Sequence, residues 1–376
     1  MKRIALAIFL LAGISLATVC DELELWGSAQ YDVLGDQIMR AAILTSDGYY
    51  ILAGDGNLRS EALIVRVAPS CGFPVVWEQV YTDTFARMFS DVIELADGSI
   101  VAGGTAFFSI YSGDENAWLV KVDRQGDTVW EKQYGRTSEQ NDVYAMAASS
   151  DGGFVVCVLR LPHAGGSAMT WLLKLDADGN LIWEKTFTSG VGLSIIEVSD
   201  GGYLISGSQE ITQSLNSYVW ALRVDAQGNP IWEKTYTDLE IYVQLSNQVV
   251  EAPNGDFVIA GKGFLLRLDP TGKVVWTQPL PNRFLDTVAF TGDGNLAIGG
   301  AFNDACSYDH LYVALLSGDG ATTYWESIEL LFNSSAAEVL PDPYNGIGVA
   351  GWIQTIPGTG PEDPGSCVFE LARFLE

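Results

Sequence analysis

Cations are scarce in this chain. Its 20 Lys and Arg face 47 Asp and Glu, a net charge of −27. A surface that negative repels phosphate backbones, which argues against nucleic acid and anionic membranes as partners. Histidine is scarcer still: His163 and His310 are the only two, and no H-E-x-x-H, P-loop or G-x-S-x-G occurs. The five cysteines (Cys20, Cys71, Cys157, Cys306 and Cys367) form no C-x-x-C pair. That spacing rules out a zinc ribbon and a thioredoxin-type redox site. Past the N-terminus no apolar run approaches the roughly 18 residues a transmembrane helix needs. Helical periodicity is missing over every long window.

What is present is apolar and rich in glycine: 48% hydrophobic residues and 40 glycines, which predicts a large folded core. The start, "MKRIALAIFLLAGISLATVC", has a basic opening at Lys2 and Arg3, an apolar stretch from Ile4 to Leu16, and small residues at Ser15 and Ala17. It reads as a secretory signal peptide over residues 1–19, followed by one domain over 20–376. Cys20 is the alternative lipid-bearing residue of a lipoprotein, although Val19 stands where that pattern wants a small residue. The expected location is periplasmic, secreted or at the cell surface.

The chain repeats itself. "KVDRQGDTVWEKQY" (121–134), "KLDADGNLIWEKTF" (174–187) and "RVDAQGNPIWEKTY" (223–236) are versions of one phrase, whose tryptophan recurs at Trp26, Trp77, Trp130, Trp183, Trp232, Trp276 and Trp325. Between these lies a turn followed by an apolar run, as in "SDGGYLISG" (199–207), then a second run such as "WALRVD" (220–225). Each run is short, rich in Val, Ile, Leu, Tyr and Trp, and bounded by Gly, Asp and Asn, which are strand and turn signals. Each unit therefore has four strands, here a to d in chain order, and units of 40–50 residues predict propeller blades. Trp26 lies in a d strand with no a, b or c before it, while the C-terminus stops on a c strand. The fold expected is all-β: a seven-bladed β-propeller of four-stranded blades, the last closed by residues 22–28 against 368–374. The repeated tryptophan reads as packing between blades.

These units resemble the repeats of exported bacterial β-propeller proteins. More distantly, "LDADGNLIW" is similar to the tryptophan-docking repeat of quinoprotein (PQQ-type) propellers. The resemblance implies the fold. It implies no quinone cofactor, since the ligands of that group cannot be matched to residues of this sequence.

Several motifs reduce to scaffold. "GIGVAG" (346–351) matches G-x-G-x-x-G but falls on a b strand, with no helix to open. "DADGN" (176–180) and "TGDGN" (291–295) hint at calcium, yet lack the twelfth-position Glu, so they read as turns in which Asp bonds its own backbone. Calcium is the one cofactor left as a candidate. Cys157 is expected buried and unpaired in strand b, at the glycine position of its unit, and Cys306 with Cys367 is a candidate disulfide.

The irregular parts are the b–c loops, which share one end with the d–a crossovers. Candidate ligand-binding residues there are Trp352, Phe107, Phe108, Tyr111, Tyr308, His310 and His163. Aromatics among polar groups suit a binding surface. The expected function is non-enzymatic binding of a protein or glycan by a monomer. Two other readings stay open: an enzyme using carboxylates near the central channel, and a structural subunit of an envelope complex. Against the enzyme, Asp36, Asp91, Asp142, Asp286 and Glu338 do not align at one offset from the turn.

Overall fold

The computed structural model describes residues 38–56, 61–68, 74–82, 87–107, 115–135, 138–163, 165–210, 217–237, 246–303, 309–329, 334–341, 347–353 and 372–374. The signal peptide, Cys20, Trp26, the closing strand 22–28, Cys71, Cys306, Cys367, Phe108, Tyr111 and Tyr308 lie outside these residues.

The described chain is all-β and propeller-like, built from four-stranded antiparallel units. The first is β1 (Ile38–Leu44), β2 (Tyr50–Gly56), β3 (Glu61–Val67) and β4 (Val75–Thr82), paired in that order. The next are β5 (Arg87–Glu94) to β8 (Thr128–Tyr134), and β9 (Glu139–Ala148) to β12 (Leu181–Phe187). Between them run β6 (Ile100–Phe107), β7 (Glu115–Val122), β10 (Phe154–Pro162) and β11 (Met169–Leu175). One parallel contact, Glu115 with Gln140, joins these two units into a single sheet. Then come β13 (Val191–Glu197), β14 (Tyr203–Glu210), β15 (Ser217–Val224) and β16 (Pro230–Tyr236).

Further on the strands run into one another. β18 (Phe257–Leu268) supplies both b and c, bending at Gly263 with φ 85°, and β19 (Val274–Phe290) supplies a d and the next a. They merge β17 (Ser246–Glu251) with β20 (Leu296–Asn303), β21 (Asp309–Leu316) and β22 (Thr323–Glu329) in a six-stranded sheet. Last come β23 (Ser334–Pro341), β24 (Ile347–Ile353) and β25 (Ala372–Phe374). "GIGVAG" thus opens into a strand with antiparallel neighbours on both sides.

The core lies between successive units. Ile51, Ala53 and Ile64 of the first pack against Phe89, Trp118 and Val120 of the second, and the same occurs at later seams. Leu340 of β23 packs with Met39, Ala42 and Leu63 of the first unit. The a strands lie side by side in order, and β23 meets β1.

The repeated phrase is the clamp at four successive seams. Trp77, Trp130, Trp183 and Trp232 donate Nε1–H to the carbonyls of Arg124, Ala177, Ala226 and Pro270, each in the c–d turn of the following unit. The ring lies on that turn's glycine: a Cβ on Gly228 would meet Trp183 at 2.9 Å, and Gly228 holds φ 76°. Only glycine serves both demands. The remaining repeated polar residues are also spent on the scaffold. Arg66, Lys121, Lys174, Arg223 and Arg267 of the c strands pair with Asp47, Asp97, Asp151, Asp200 and Asp256 at the a–b turns. Glu94, Glu197 and Glu251 accept the backbone N–H and hydroxyl of Ser46, Ser150 and Ser199 one unit back.

Candidate functional site

Sites are to be sought where the repeat is broken. Two regions qualify, the axial ends of the a strands and the b–c end.

Every a strand carries a β-bulge at the same level, with Arg40, Ser90, Tyr144, Leu193, Asn247, Asp286 and Ala337 as the extra residues. The residue after each bulge is Ala41, Asp91, Ala145, Ser194, Gln248, Thr287 and Glu338. Four of these accept a backbone N–H from the next unit. Asp91 takes Met146 N–H at 2.5 Å, Ser194 takes Val249 at 3.2 Å, Gln248 takes Val288 at 2.5 Å, and Thr287 takes Val339 at 3.0 Å. Asp91 accepts twice, its other oxygen taking Val92 N–H at 2.7 Å. Ala41, in the unit before, has no acceptor to offer that amide.

The inner carboxylates share no single offset from the turn, as the sequence reads, but two of them, Asp91 and Glu338, occupy one position after the bulge. The run from Glu338 to its turn glycine Gly346 is one residue longer than the run from Asp91 to Gly98, so counting back from the turn misaligned them. Glu338 Oε1 accepts from Gln248 Nε2 at 2.9 Å and Thr287 Oγ1 at 3.2 Å. Desolvation raises Asp91 to about 7, against the pull of its two N–H donors. Desolvation raises Glu338 to about 8, and the Asp91 charge adds to this. Both carboxyls are deep in the protein, yet each keeps a partly accessible surface. No group of three or more His, Cys, Asp or Glu suited to a metal occurs among the described residues. The turn at Asp176 is the expected Asx turn: its carboxylate accepts N–H from Asp178 at 3.0 Å and Asn180 at 2.8 Å.

The b–c end is irregular. Phe107 closes β6 opposite Glu115, half-buried, and His163 is exposed just past β10. Arg160 makes a two-bond pair with Glu139, at 2.6 and 2.7 Å, and lies over the Trp171 ring. Asn141 between them is fully buried: its Nδ2 donates to the Glu115 carbonyl at 3.1 Å, while its Oδ1 has no hydrogen-bond donor. A buried acceptor left open calls for a water or a ligand group.

Three of the sequence candidates are placed differently from expectation, the first being Phe107, which was expected in the b–c loop and instead ends β6. His310 is not in a loop: it lies in β21 opposite Phe302 and is 4% exposed, because the strand begins one residue earlier, at Asp309. Trp352 does not follow the end of its strand, since β24 continues to Ile353 and pairs Trp352 with Ser335. Cys157 is buried and free, its thiol pushed up to about 12 by desolvation. It aligns with Ser206, and Val158 takes the glycine position. Sequence reading missed the bulge-level acceptors. Their signal is a polar residue at one position of strand a, visible only once the bulge sets the register.

Residues 115–283 match the sequence profile of the family described as outer membrane protein assembly factor BamB, a PQQ-type repeat. The quinoprotein likeness of the repeat is therefore found over β7 to β19 as well. Among solved structures, the chain is similar to the WD40 β-propeller domain of Doa1, with TM-score 0.59 and 12% identity over 94% of this chain and 98% of that one. It is similar to Sqt1 from Chaetomium thermophilum, with TM-score 0.56 and 14% identity over 90% and 85%. The C-terminal WD40 domain of Sif2 gives TM-score 0.54 and 10% identity over 93% and 99%. At such identities the likeness is one of fold. No curated protein matches the sequence significantly.

Proposed function

We propose that this chain is an exported seven-bladed β-propeller, its last blade completed by residues 22–28, that serves as a protein-binding scaffold in the cell envelope. Its partner docks on the b–c end, where Phe107, His163 and Trp352 are the first residues to test, with Phe108, Tyr111 and Tyr308 of the neighbouring loops. The observation that carries this reading is the division of labour among residues. The repeated Trp, Lys/Arg, Asp and Glu side chains are engaged in contacts within and between units, whereas the loops of the b–c end differ from unit to unit. The BamB-type match over 115–283 supports an envelope role, and the WD40-like fold supports a protein partner.

A photo-crosslinking residue placed at Phe107, at His163 and, as a control, at Asp178 on the opposite end tests the assignment. The expected result, in cells that make the protein, is one discrete adduct from positions 107 and 163 and none from 178. Adducts from 178 alone would move the working surface to the other end.

A further inference from the structure

The repeat provides its own control, and the outer pair β3 and β4 of the first unit departs from it at three positions. In three units a c-strand tryptophan donates to the glutamate of the d strand: Trp118 to Glu131 at 2.9 Å, Trp171 to Glu184 at 2.8 Å, and Trp220 to Glu233 at 2.8 Å. In the first unit that tryptophan is Leu63, by register with Gly54 as Trp118 is with Gly104. The glutamate, Glu78, is still there, but its Oε1 is buried without a hydrogen-bond donor. Two residues before Leu63, where the other units have Asn116, Met169 and Tyr218, stands Glu61. Desolvation and then the Glu61 charge push the Glu78 carboxyl above its usual range. Three residues after the docking tryptophan, where the others have Gln133, Thr186 and Thr235, stands Val80, 46% exposed. Val75 and Val76 are also exposed, at 42% and 51%. β4 is the outermost strand of its sheet, so among the described residues one edge of its backbone has no strand partner.

We infer that the free edge of β4 is a docking strand for an extended partner segment, one that sets an Arg or Lys opposite Glu78 and an aliphatic side chain opposite Val80. Strand addition satisfies the open backbone edge, and cross-strand neighbours supply specificity. A cation is the group this edge lacks: it would answer both Glu78 and Glu61, in the way Arg87 answers Glu131 at 2.8 Å in the second unit. The occupant is not the chain's own N-terminal stretch, whose "DELELWGS" (21–28) brings Asp21, Glu22 and Glu24 and no cation. This surface reaches the b–c end at Glu61, the first residue of β3, but it is carried by the β4 edge and does not depend on the function proposed for that end.

Two labelled nine-residue peptides test it by fluorescence anisotropy on the whole mature chain, a Val/Arg peptide repeating Arg-Thr-Val-Thr and a Val/Glu peptide repeating Glu-Thr-Val-Thr, so that the charged and aliphatic side chains fall two apart on one face as Glu78 and Val80 do. The Val/Arg peptide is expected to bind and the Val/Glu peptide not to bind. Glu78→Gln and Val80→Thr should each weaken the Val/Arg peptide about fivefold, since each removes one local contact. Those variants barely change the net charge, so a general attraction of basic peptide to an acidic protein would leave both unaffected. Leu63→Trp restores the donor found in the other units; it should weaken the peptide while raising the melting temperature, which separates loss of the site from misfolding. Unchanged affinity in Glu78→Gln and Val80→Thr overturns the inference.

Discussion

At the residue scale, the axial acceptors divide into neutral and titrating ones, and the two kinds predict different behaviour. Ser194 gives its hydroxyl oxygen to Val249 N–H. Ser194→Ala orphans that buried amide and should cost about 1–3 kcal/mol at any pH. Asp91 and Glu338 are different. Their folded-state carboxyls titrate near 7 and 8, well above the range they have in an unfolded chain. A raised carboxyl binds its proton more tightly when folded. Its contribution is therefore complete below about pH 4 and is lost as pH rises through 7 and 8. The turn aspartates Asp97, Asp151 and Asp293 are shifted downward by their hydrogen bonds, so their stabilisation disappears at the acid end. Urea unfolding should then show a stability maximum between about pH 4 and 6 and a decline toward pH 8.5. Asp91→Asn should flatten that decline and Ser194→Ala should not. A parent whose stability rises from pH 6 to 8.5 would refute the assignment.

At the element scale, the open question is the last unit. β23, β24 and β25 form three paired strands, and the unit's d strand is not among the described residues. The proposed strand 22–28 would supply it and cover an otherwise bare sheet edge. Deleting residues 20–28 from the mature protein should lower the melting temperature strongly or cause aggregation, seen by differential scanning calorimetry and light scattering. Cooperative melting at the parent temperature would show that this strand does not close the sheet.

Element identity was legible in the sequence because it rests on short-range chemistry. "SDG" and "DADGN" dictate their turns through glycine at positive φ and aspartate bonding two and four residues on, and the apolar runs between turns can only be strands. The docking role of Trp183 was legible for the same reason, being written once per unit. The fused strands β18 and β19 were not, since Gly263 carries the chain from b to c with no polar loop to announce the break. Nor was the axial ring, because a bulge adds a residue without a sequence signature. His310 was misplaced because a histidine after "CSYD" looks like loop, whereas strand pairing with Phe302 takes it inside.

At the scale of the whole molecule, the acidic surface and the clamps between units explain each other. Exposed charge keeps bare outer edges from pairing with other copies. The clamps hold the units against the repulsion that a net −27 creates. Residues that hold the units together are then unavailable to a partner, and residues without that duty can differ between units. That separation is the central claim, and thermal unfolding of Trp183→Ala beside Trp352→Ala tests it most directly. Trp183 lies on Gly228 of the next unit and donates to Ala226. Its loss should cost about 3–5 kcal/mol. If Trp352 serves a partner and not the scaffold, Trp352→Ala should stay within about 0.5 kcal/mol of the parent. Equal losses in the two variants would contradict the account, because Trp352 would then be one more packing residue of the ring.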